Sequence, residues 1–291
     1  MEIWDLINPV LRTIFYFASF GTVGTILFIL HFRKYAHSEL LYYCMKLTQK
    51  SAFAGVFISL ILFLSTAGNM GGDLASVFEY SMLQFAFSSK SGAAAITSLL
   101  GFIIILIAEN RFSKWRLGAL ITGSILVLLS FVIIGHSLIE GLLSQFLLLV
   151  HLIGIAYWLG SFLPLTRLCE IPDIGNLPLI AHRFGIIAIA YVSALVFAGG
   201  MFAYNILGGL TPLIDTTYGN TLLTKLIVVT LLLSLAALNK FQLVPLIKQN
   251  LYLGARRLRV FVRLEMLLAS LVLLLTSFLT TSLDLPMGYN Q

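Results

Sequence analysis

Residues 143–165 read LSQFLLLVHLIGIAYWLGSFLPL. These 23 residues contain no Asp, Glu, Lys or Arg. As a helix rising 1.5 Å per residue they would extend roughly 34 Å. A bilayer's hydrocarbon core is crossed by about 20 such residues. The stretch therefore predicts a transmembrane helix, with one imidazole, His151, inside it.

Working outward, seven further apolar stretches match it: 7–31, 49–69, 91–109, 114–135, 181–207, 220–244 and 259–283. Of 291 residues, 59% are hydrophobic and only 10% charged, with mean hydropathy +0.99. A soluble chain carries about 25% charged residues. Disorder, a coiled coil and a disulfide scaffold are excluded. The expected fold is all-α: a polytopic membrane protein of about eight transmembrane helices, one integral membrane domain over 1–291. Glu2 and Asp5 stand where a signal peptide would be basic, so the first span is expected to be retained. Segment 70–90 is mixed, and reads either as a short interfacial helix or as an extension of the third span.

Eight spans would place both termini on one side. Fifteen of the 18 basic residues fall in the connections after spans 1, 3, 5 and 7 or at their flanks, and the opposite set holds only Lys90. Arg12 and Lys225 fall within spans. By the positive-inside rule the basic connections are cytoplasmic and both termini periplasmic. This also accounts for the net charge of +6 without nucleic acid. Asn110-Arg111-Phe112 and Gly92 in the first half echo Asn239-Lys240-Phe241 and Gly219 in the second. The echo suggests a 4+4 parallel repeat, with halves 1–135 and 136–291.

Ionisable groups at membrane depth are costly, and so mark candidate sites. His136 ends span 4, in Ile134-Gly135-His136-Ser137. His151 lies about 12 Å inside span 5, with Gly154 and Trp158 on its face. Either imidazole can simply hydrogen-bond a carbonyl across a helix contact. Two in the outer half of adjacent spans, with Met201 near the end of span 6, instead make a soft donor set suited to copper, especially Cu(I). Met70 and Met82 flank the external segment and rank lower. On the inner side, His31, His37, Cys44, Cys169 and His182 are weaker donors. Glu265 reads as a local ion pair with Arg263 or a snorkelling charge, and Lys225 as able to snorkel outward. Asn205 is a further polar residue in span 6. No phosphate loop, Cys-x-x-Cys or HExxH motif occurs, so neither an ATP-driven motor nor an enzyme is expected.

The run His151-Leu152-Ile153-Gly154-Ile155-Ala156-Tyr157-Trp158-Leu159-Gly160 resembles the His…Trp-Leu-Gly helix of the copper resistance protein D (CopD) family. Gly135-His136-Ser137 resembles its Gly-His-Ala. Arg183-Phe184, Asp215 to Gly219 and Leu222-Leu223-Thr224-Lys225 resemble its Arg-Phe, Thr-Pro-Tyr-Gly and Leu-Leu-x-Lys run, with Thr217 where Pro is usual. Asn239-Lys240-Phe241 to Pro245 and Arg263-Leu264-Glu265 resemble its Asn-Arg-Phe…Pro turn and Arg-x-Glu. The series covers 135–283, whereas residues 1–110 match only in hydropathy. The resemblance implies a multi-pass protein of the bacterial cytoplasmic membrane that moves copper, served by a separate periplasmic CopC-like protein. It carries over His136 and His151 as copper-site residues, and Trp158, Lys225 and Glu265 as residues of structural weight. Two rival expectations are a b-type haem protein with axial histidines and a non-transporting copper sensor or assembly subunit.

Overall fold

A computed structural model describes residues 3–109, 115–134, 141–171, 175–207 and 212–282. The described elements are all helical. Lipid offers no partner for backbone N–H and C=O groups, so each apolar stretch satisfies them along its own axis. The long helices are α1 (Ile3–Phe32), α2 (Ser38–Gly71), α4 (Lys90–Glu109), α5 (Arg116–Ile133), α6 (Leu142–Gly160), α8 (Leu177–Leu207), α10 (Thr217–Leu238) and α12 (Leu251–Thr281). Shorter ones are α3 (Tyr80–Ser88), α7 (Phe162–Leu168), α9 (Pro212–Asp215) and α11 (Val244–Gln249). Segment 70–90 is neither a span nor an extension of one. Gly72 closes α2 with φ 84°, and a 3-10 turn (Ala75–Phe78) and α3 follow. Asp73 starts that turn by accepting from the Ser76 N–H at 2.8 Å and its hydroxyl at 2.7 Å. These bonds hold the Asp73 carboxyl below its usual range.

Seven helical segments among the described residues are long and apolar enough to cross a membrane, and they match the first seven expected spans. The eighth expected span lies on α12, whose first half carries Arg256, Arg257, Arg259 and Arg263. α12 nonetheless runs the height of the bundle. At one end Arg259 and Arg263 reach Glu170, just after α7, at 3.4 and 3.3 Å. At the other, the Ser282 hydroxyl donates to the Asp5 carbonyl at 3.1 Å. Asp5 and Ser282 therefore share one end of the bundle, opposite the basic loops.

α1 is the central helix, packed against α2, α6 and α12. Its crossing with α6 has no room for side chains. A Cβ on Gly24 would meet the Ala156 carbonyl and the Gly160 Cα. Small residues at a helix contact let backbones touch, the main source of packing energy where lipid is as apolar as the side chains. Toward the basic end, Phe28, Phe32, Tyr157, Leu168 and Ile247 form one core. Toward the opposite end, Phe15, Phe20, Phe102, Val127 and Phe131 form another. α8 and α10 leave most of their apolar surface outward, including Ile189, Phe197, Ile227 and Leu231.

Candidate functional site

His151 sits where α6 meets α8. α6 offers Gly154 at this contact, where an added Cβ would strike the Leu195 side chain. α8 offers Gly199, where an added Cβ would lie 2.7 Å from the His151 ring. The two glycines bring the backbones together and fill the space beside the ring with protein. His151 Nδ1 lies 2.9 Å from the Leu195 carbonyl. A carbonyl can only accept, so Nδ1 carries the proton and the Nε2 lone pair is left for a ligand. Metal-binding imidazoles are held in this way, the second nitrogen fixing ring and tautomer. Lys225 of α10 is near enough to act electrostatically on the ring. Lys225 is half-buried.

Farther along α6 toward the basic end, Tyr157 stacks on Tyr191 of α8 with ring centres 4.2 Å apart. His31 of α1 lies edge-on to both, at 5.4 and 5.8 Å. Its Nδ1 is 2.8 Å from the Leu27 carbonyl, which again leaves Nε2 as acceptor. The Tyr157 hydroxyl is buried with no hydrogen-bond partner among the described residues. His151, Tyr191, Tyr157 and His31 thus line the contacts of α8, α6 and α1. From sequence, His31 ranked only among the weaker inner-side donors, and neither tyrosine stood out as a candidate. Only the packing of three helices brings them together, and no spacing within one helix signals it.

The remaining candidates are dispersed. His136 lies outside the described residues. Met201 is 40% exposed, two residues beyond Gly199 and so on another face of α8 from the one that meets His151. Asn205 is 3.5 Å from the Ser144 hydroxyl. Met70 ends α2, and Met82 of α3 packs near Gly71. Cys44 is fully buried in the core near the basic end, and Cys169 packs against that core. Burial pushes the Cys169 thiol up to about 12. His182 is exposed and lines a small cavity with Lys240 and Lys248. His37 Nε2 lies 3.1 Å from the Asn176 amide. Among the described residues, no three His, Cys, Asp or Glu side chains are grouped to hold a metal ion.

Trp158 is buried beside Phe162. Glu265 is neither paired with Arg263 nor snorkelling. Arg263 turns to Glu170, while Glu265, 3% exposed, accepts from the Asn239 amide at 2.5 Å. The reason is helical phase: Arg263 and Glu265 are about 200° apart around α12, so one faces the basic surface and the other the core. Asn239 opens a π-turn (Asn239–Leu243) before Pro245, in which Lys240 donates to the Gly185 carbonyl at 2.7 Å.

Two family models match the chain. Copper resistance protein D matches residues 178–279, and the copper resistance protein D-like N-terminal domain matches 3–145. The chain belongs to the copper resistance protein D family. Within this family the likeness reaches the first half, which resembles it by eye only in hydropathy. Copper transport protein CutJ of Bacillus subtilis (strain 168) is 27% identical over 234 residues, 74% of this chain and 42% of that protein. Inner membrane protein YebZ of Escherichia coli (strain K12) is 25% identical over 254 residues, 81% of this chain and 84% of that protein. The chain spans less than half the length of CutJ. No solved structure matches it. The family is named for copper resistance, and the seven long apolar helices make the chain a multi-pass membrane protein.

Proposed function

We propose that this chain carries copper, as Cu(I), across the bacterial inner membrane. The carrying observation is the His151 imidazole inside the bundle, with Nδ1 fixed on the Leu195 carbonyl and Nε2 left as a ligand atom. An imidazole nitrogen is a donor that copper accepts and that magnesium and calcium do not favour. His136, which precedes α6 in sequence, is its proposed outer partner. Copper captured on the periplasmic face, from a CopC-like protein, would reach His151 and pass inward beside Tyr191 and Tyr157 to His31. Met201, Met70 and Met82 are secondary in this reading. His182, exposed at the basic end, would receive copper only after it leaves the bundle. No chemical conversion is assigned. The energy source is a gradient, an exchanged proton or a cytosolic acceptor.

The test is copper uptake by proteoliposomes loaded with an internal Cu(I) chelator. His151→Ala should reduce initial uptake about ten-fold or more, the scale expected when a charge-assisted or metal contact is lost. His31→Ala should slow uptake while leaving equilibrium binding at His151 in place. Uptake unchanged by His151→Ala in folded protein would overturn the proposal.

A further inference from the structure

Away from His151, a cavity of about 250 Å³ lies between the ends of α1, α2, α4, α5 and α12 opposite the basic loops. A water takes about 30 Å³, so the cavity holds several waters or one small polyatomic ion. Arg12 lines it. The Arg12 guanidinium is flanked by the rings of Phe15, Tyr16 and Phe131, 5.6–5.8 Å from its carbon. The ring faces attract the cation, and Arg12 Nε is buried with no hydrogen-bond partner among the described residues. Among the described residues, no Asp or Glu lines the cavity. Asn69, also in the wall, uses its carboxamide oxygen to accept from Asn8, which leaves its N–H donors for something else. Ser91 adds a hydroxyl.

A guanidinium with no carboxylate beside it among the described residues, in a cavity where Asn69 and Ser91 add neutral donors, suits an anion. A guanidinium presents parallel N–H groups that fit two oxygens of one phosphorus or carbon centre. We propose that this cavity binds a phosphate-type oxyanion on Arg12, supplied either by the periplasm or by a phospholipid headgroup. The site is separate from the proposed copper path, since a copper ion entering here would meet the like charge of Arg12.

Equilibrium dialysis of radiolabelled inorganic phosphate against the delipidated full chain in uncharged detergent tests this. Phosphorus analysis of the protein before delipidation reports any bound headgroup. Saturable, one-to-one phosphate binding, weakened about ten-fold or more by Arg12→Gln, supports the proposal. Co-purifying phospholipid that Arg12→Gln abolishes supports it too, and identifies the lipid source. Arg12→Lys keeps the charge but loses the fork, and should bind several-fold more weakly. Asn69→Leu serves in the same way should Arg12→Gln not fold, and should also weaken binding. No bound phosphate of either kind, or binding that none of these variants alters, overturns the proposal. Copper uptake is independent of this readout, so either result leaves the reading of His151 standing or falling on its own test.

Discussion

At His151 the decisive feature is which nitrogen is occupied. The Leu195 carbonyl claims Nδ1, so Nε2 is free to choose between a proton and a metal. An ordinary imidazole titrates near ~6.5. Copper binding should hold at neutral pH and weaken as pH falls through the acid range, because protonated Nε2 has no lone pair to give. Titrating Cu(I) affinity in purified protein checks this. A flat profile would instead point to Met70, Met82 and Met201, whose thioethers take no proton. Cys169 makes the opposite case. With its thiol pushed up to about 12 by burial, almost none is thiolate at neutral pH, and the thiolate is the form that binds metal and reacts. In folded protein Cys169 should resist alkylation at neutral pH and react after denaturation. Cys169→Ser should leave copper affinity within about two-fold, since loss of a bound thiolate would cost far more.

At the scale of elements, the buried polar pair Asn239 and Glu265 joins the π-turn after α10 to α12. The π-turn at Asn239 aims its amide across to α12, and π-turns are frequent at functional positions. Deleting one member strands the other. Asn239→Ala should destabilise the protein by about 1–3 kcal/mol, the cost of an unsatisfied buried group. Asn239→Ala combined with Glu265→Leu should be less damaging than the two singles added, because both polar groups are gone. Chemical denaturation in detergent measures this, and strict additivity would show that the pair does not act as a unit. Copper uptake by the same variants would tell whether the carboxyl serves only packing.

For the whole molecule, the contact between Ser282 and Asp5 fixes the parity of the bundle: the described chain starts and finishes at one end. With the basic loops at the other end, the positive-inside rule predicts that Asp5 and Ser282 face the periplasm. A reporter fused after Lys248 should read cytoplasmic, and one fused after Gln291 periplasmic. Both reading cytoplasmic would overturn the eight-span arrangement. The basic end is itself knit together by charge. Arg167 bonds Glu39 at 2.7 Å, and Arg116 bonds Glu109 at 2.9 Å. The exposed members of such a network are worth little singly, so its role is to seat the loops rather than to hold the bundle.

The amino-acid sequence by itself determined the class of fold, the number of long helices and the asymmetry of charge. These follow from one-dimensional quantities: apolar length against bilayer thickness, and basic residues per loop. It also singled out His151, because an imidazole in an apolar stretch stands out whatever surrounds it. Tertiary structure alone decided what those residues meet. Phase around α12 sent Arg263 to Glu170 and Glu265 to Asn239, although they are two apart in sequence. The Gly24–Gly160 crossing drew α1 against α6, and the α6–α8 contact at Gly154 and Gly199 seated His151 against Leu195. The same packing set His31 beside Tyr157 and Tyr191 and left Arg12 in a cavity with no carboxylate among the described residues. Hydropathy cannot foresee such pairings, because in a bilayer every apolar face is equally content with lipid. Which faces touch is settled by where glycines let backbones close and where polar side chains find partners.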